Sequence, residues 1–147
     1  MAPPTPKQLS DINTALDGLV DALEQHEQWS SDSKPPPGLF FVHDFATRSK
    51  YMLSEYENIK EGKALQHPDQ FRPAPGKGEN AAVKVFDEVC GRTMMLKMII
   101  DDKSGKAAAM SGGGAPVDYG QTVRSKFADL MAVIPPDAMM RGMMGGI

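Results

Sequence analysis

Apolar residues recur along the chain at helical rather than strand spacing, and this pattern predicts an all-α fold, a small helical bundle of about four amphipathic helices. Leu9, Ile12, Leu16, Leu19 and Leu23 follow a heptad-like 3-4-3-4 spacing that lays one stripe along a helix over 7–29. Its start is signalled by Thr5-Pro6-Lys7-Gln8, which supplies a capping hydroxyl, a proline at the first helical position and a glutamine three residues after the cap. A second stripe, Phe41, Val42, Phe45, Met52, Leu53, Tyr56 and Ile59, predicts a helix over 39–62 that stops at Gly62, with Ser49 as its one polar member. Asn80 reads as the cap of a third helix, 80–110, whose face of Val83, Phe86, Val89, Cys90, Leu96 and Ile100 is widened by Met94, Met95 and Met98. Val123, Phe127, Leu130, Met131 and Ile134 predict a fourth, 121–134, which Pro135-Pro136 ends.

The connections are rich in proline and glycine. A linker over 30–38 holds three consecutive prolines, and a loop over 63–79 is expected to be pinned to the core by Phe71. A flexible linker occupies 111–120, and a methionine-rich tail, 135–147, carries Met139, Met140, Met143 and Met144 around Arg141. No segment alternates apolar and polar residues long enough for a half-buried strand, and no internal repeat is present. The expected architecture is one helical domain over 1–147, with the first two helices as an antiparallel hairpin and the third at the centre.

Composition narrows the class without naming a function. A length of 147 residues suits one modest core, and 41% apolar with 24% charged residues is the balance of a chain that folds. A single cysteine, Cys90, excludes an internal disulfide and a four-thiolate metal site, so a reducing compartment is expected. The Pro-rich start lacks the basic and apolar regions of a secretory signal, and the apolar stretches are too short for a bilayer. These features predict a soluble intracellular protein, cytoplasmic or nuclear, or packed within a virion under the coat reading below. The net charge of −3 is unevenly distributed: residues 1–33 carry six acids and one lysine, whereas the remainder carries fifteen bases and thirteen acids. That split predicts attraction between the acidic helix of one molecule and the basic remainder of another.

Residues able to do chemistry do not converge. His26, His43 and His67 show no metal-ligand spacing, and Cys90 lies in an apolar stripe where a thiol acts as a small hydrophobe. Pro75-Gly76-Lys77-Gly78-Glu79 precedes a helix, but it lacks the spacing and the preceding strand of a phosphate-binding loop. Asp87-Glu88 and Asp101-Asp102 are adjacent pairs whose side chains diverge by about 100° on a helix, so neither pair converges on a substrate. The expectation is therefore a non-enzymatic structural or interaction subunit without cofactor or metal, whose partners are copies of itself or other proteins, without a membrane. Its interface residues would be Leu9, Ile12, Leu16, Leu19 and Leu23 on the first helix and Met139, Met140, Met143 and Met144 in the tail. A second, less favoured reading is a coat or packaging subunit that wraps nucleic acid through Arg48, Lys50, Lys60, Lys63, Arg72 and Lys77, although Glu55, Glu57 and Glu61 are interleaved among them. A third is a small-molecule-binding bundle with a pocket lined by Tyr56, Phe86, Met94 and Met98.

Overall fold

The computed structural model describes residues 3–29, 35–102, 104, 106 and 117–145; among them the chain is helical, with no β-strand. Helix α1 spans Pro6–Glu24, α2 Pro37–Ser54, α3 Tyr56–Glu61, α4 Glu79–Ile100, α5 Gly120–Val133 and α6 Pro136–Gly145, with a single 3-10 turn at Pro68–Gln70. The part of the expected linker over 30–34, most of 103–110 and the glycine-rich 111–116 lie outside the described residues.

The start of α1 follows from its sequence. The Thr5 hydroxyl accepts the Gln8 amide at 3.1 Å while Gln8 Oε1 accepts the Thr5 amide at 2.9 Å, a reciprocal capping box with Pro6 beside it. Thr5→Ala is expected to cost about 1 kcal/mol in urea denaturation and Thr5→Ser almost nothing; equal losses would show that the cap hydroxyl is not used. The helix ends at Glu24, five residues before the predicted stop.

The helices α1 and α2 are antiparallel, since Asp17 meets Lys50 at 2.5 Å and Glu24 meets His43 at 3.3 Å. The opposite flank of α1 takes α5, also antiparallel, with His26 Nε2 2.8 Å from the Asp118 carbonyl and Gly18 against Lys126. Ile12, Leu16, Leu19 and Leu23 are all fully buried by this double embrace. The structure thus corrects the assignment of the α1 stripe to an external interface: it forms the chain's own core, with Leu9 partly buried at its edge. A helical stripe has the same period whether it meets its own chain or another, so spacing alone does not separate the two. Asp17 likewise finds its cation on α2 of the same chain.

The predicted second helix is broken at Glu55, where α2 ends and α3 begins, and Gly62 closes α3 in the left-handed region at φ 71°. Helix α4 starts at Glu79 rather than at an Asn80 cap, because Gly78, at φ 105°, turns the chain and donates its amide to the Ile59 carbonyl at 2.9 Å. It ends at Ile100; Asp102 then accepts from the Ser104 amide and hydroxyl, a local bond that competes with helix continuation. Helix α4 packs against α2, α3, α5 and α6, and Phe71 is buried beneath its loop. The start of α5 is tied to that of α2 by Tyr119, whose buried hydroxyl donates to the Gly38 carbonyl at 3.1 Å.

The largest departure from expectation is the tail. Pro136 ends one helix and begins the next, so residues expected as a short tail form α6, which lies antiparallel along α4.

Candidate interaction surface

The residues of α6 divide by helical position. Ala138, Met139, Arg141 and Gly142 meet α4, as does the backbone of Met143, whereas Met140, Met143 and Met144 are exposed. Ala138 is buried, and Met139 is half-buried with its sulfur 3.7 Å from the Thr93 hydroxyl, which itself donates to the Cys90 carbonyl at 2.6 Å. At the crossing, glycine faces glycine. A Cβ at Gly91 would stand 2.7 Å from the Gly142 carbonyl carbon, and one at Gly142 would fall onto the Asp87 carbonyl oxygen. The two backbones touch, with no side chain between them.

An ion-pair network locks this crossing. Arg141 donates from Nε to Asp87 Oδ2 at 3.0 Å and from Nη2 to Oδ1 at 3.2 Å, a two-pronged bond to a carboxylate that is itself buried. The remaining prong reaches Asp137 at 3.2 Å. The hydrogen bond from Arg141 holds the Asp137 carboxyl below the usual range, and the two aspartates hold the Arg141 cation above its own. Glu88, adjacent in sequence to Asp87, is exposed, as expected for neighbours that diverge on a helix.

The large apolar side chains left exposed among the described residues are Phe40, Met95, Met98, Met140, Met143 and Met144. Five of these six are methionines on α4 and α6, with Met98 69% and Met144 67% exposed. The expected interface set is therefore divided: four α1 residues and the inner side of Met139 serve the fold, and Met140, Met143 and Met144 remain available.

Two polar arrangements were not foreseen from the sequence. Ser49, out of place in an apolar stripe, accepts Arg92 Nε at 2.7 Å; the same guanidinium donates to the Phe45 carbonyl at 3.0 Å and lies 3.7 Å over the Phe45 ring. Burial lowers the Arg92 pKa to about 10, assisted by the nearby Arg48 cation. Glu55, read as one of the acids among the lysines, is fully buried instead, and its carboxylate accepts from Asn58 Nδ2 at 2.8 Å and from the His67 amide at 2.7 Å. The only sequence signals were a serine and a glutamate at apolar helical positions.

The other candidate groups are dispersed. Burial pushes the Cys90 thiol up to about 12, with Asp87 adding to the shift, so the thiolate is suppressed. His26 is bonded to a backbone carbonyl, His43 stacks on Trp29 at 4.2 Å, and the His67 ring lies 4.5 Å from Tyr51. No cluster of metal-ligating side chains occurs among the described residues. Of the basic set, Arg48 and Lys50 sit on α2, Lys60 on α3, and Lys63, Arg72 and Lys77 in the loop. Lys50 and Lys63 are paired with Asp17 and Glu61, and Lys77 lies against Gly62. The expected small-molecule pocket is corrected: Tyr56 and Phe86 are buried in the core while Met98 faces outward. Two open grooves occur, one of about 420 Å³ between α1 and α5 and one of about 240 Å³ between α1 and the α2–α3 junction, and only the second includes a residue of the expected set, Tyr56. No helix among the described residues is long and apolar enough to cross a membrane. No family model, curated protein or solved structure matches the chain.

Proposed function

We propose that this chain is a non-enzymatic structural subunit, a small intracellular helical bundle that assembles with copies of itself through the exposed methionines of α6, with those of α4 as further apolar contacts. The observation that carries this reading is the exposure of Met95, Met98, Met140, Met143 and Met144 on two helices that pack together. Methionine is flexible and polarizable, so such a face moulds itself to another apolar surface. Self-association is favoured over a charged partner because Asp137 and Arg141, the ionic residues of α6, are already engaged in an ion-pair network with Asp87.

Light scattering across a concentration series tests this. The wild-type chain is expected to exceed the 15.9 kDa of a monomer as concentration rises. Replacing Met140, Met143 and Met144 together with glutamine should return it to the monomer mass with an unchanged helical circular dichroism spectrum. A wild-type chain that remains monomeric throughout the micromolar range would overturn the reading.

A further inference from the structure

We infer that α6 is an exchangeable element, and that the groove it fills on α4 also accepts α6 of a second copy of this chain. This goes beyond the assembly reading above, because it concerns the inner face of α6 and not its exposed methionines. Among the described residues, α6 packs on α4 and on no other helix, so its whole tertiary attachment is one two-helix contact. Its covalent attachment is short: Ile134, at ψ 122°, leaves α5 in extended conformation, and only Ile134 and Pro135 stand between α5 and α6. A hinge this short, with proline limiting how it bends, is the kind of connection at which neighbouring molecules exchange an element.

The contact is also specific enough to be recognised in trans. Gly142 admits backbone contact with α4 that a larger residue forbids, and one position earlier Arg141 reaches the buried Asp87 with two prongs. One turn back, Ala138 fills the remaining space and Met139 meets Thr93. A second copy carries the same helix and the same groove, so exchange reproduces every contact of the closed form and opposes it only with the entropy of association.

The experiment uses full-length chains that already carry glutamine at 140, 143 and 144, so that association through the methionine face does not register. Asp87→Arg and Arg141→Asp are prepared separately, one isotopically labelled. Within each variant the groove and the helix repel, in the same chain and between identical chains alike. In an equimolar mixture both junctions become complementary between chains: native Asp87 meets native Arg141, and the introduced arginine meets the introduced aspartate. Native mass spectrometry is expected to show a mixed dimer about tenfold more abundant than either homodimer. The double variant D87R/R141D should close on itself and give no excess of dimer over the parent chain. A mixture that stays monomeric while the double variant regains the parent's stability would overturn the inference. If the single variants do not fold, labelled and unlabelled parent chains, mixed and concentrated to the millimolar range, supply the decision: a dimer of mixed mass that is lost in D87R/R141D mixed with the parent supports exchange, and its absence refutes it.

Discussion

Gly142→Ala is expected to unseat α6 from α4 and lower stability, although alanine is the better helix former by about 1 kcal/mol. The added Cβ would fall onto the Asp87 carbonyl oxygen and stand 2.6 Å from its carbonyl carbon. Both are helical backbone, so no rotamer change relieves the clash, and only separation of the helices does. Overpacking of this kind costs about 1–3 kcal/mol, occasionally more. Because α4 is the one described helix that α6 touches, the loss should be local: amide exchange over 137–145 accelerates while α1, α2 and α5 keep their protection. Gly91→Ala meets the same crossing from the other side, 2.8 Å from the Met143 nitrogen, and should behave alike. Unchanged exchange in α6, or a gain in stability from either alanine, would show that the two backbones do not meet.

Removal of the Glu55 carboxylate should produce an effect of similar size with a distinct pH signature. Burial on its own would raise the Glu55 pKa, but hydrogen bonds from the His67 amide, the Asn58 side chain and the Gln66 amide outweigh it, and the net shift is downward. Glu55→Ala takes the acceptor from those half-buried donors at the edge of the core and should cost about 1–3 kcal/mol in urea denaturation. Glu55→Gln preserves the shape but replaces a charged acceptor with a neutral one. A carboxyl whose folded pKa is depressed contributes its stability in full above the ordinary glutamate value of 4.5 and loses it as pH falls through the lower folded value. The stability difference between wild type and Glu55→Gln should therefore be largest near neutrality and shrink below about pH 4. A difference that stays constant from pH 7 to pH 3 would mean that the clasp around Glu55 is not ionic.

These residues show how far the sequence could be read. The capping box at Thr5, the stop at Gly62, the helix break at Pro135-Pro136 and the burial of Phe71 were legible because each depends on residues a few positions apart or on one side chain's hydrophobicity. Glu55 was not. In a linear reading it belongs to a charged helix with Glu57 and Glu61, and its interior position is made tenable by Asn58 together with a loop amide twelve residues later. Ser49 was conspicuous as a polar residue in an apolar stripe, yet its reason is Arg92, 43 residues away. Arg141 stood amid methionines with nothing local to mark Asp87, 54 residues earlier, as its partner.

Composition and periodicity by themselves determined that the described residues are helical, where α1, α2, α4 and α5 begin to within two residues, and which residues on each are apolar. Those properties arise from backbone hydrogen bonding and side-chain spacing within a few residues, which a linear chain displays directly. Tertiary structure alone decided which apolar residues face inward: the α1 stripe is enclosed by α2 and α5, while Met140, Met143 and Met144 are left outside. It also decided that the tail is a helix seated glycine to glycine on α4. A stripe records only that a partner is required; the identity of the partner is set by contacts between residues far apart in the chain.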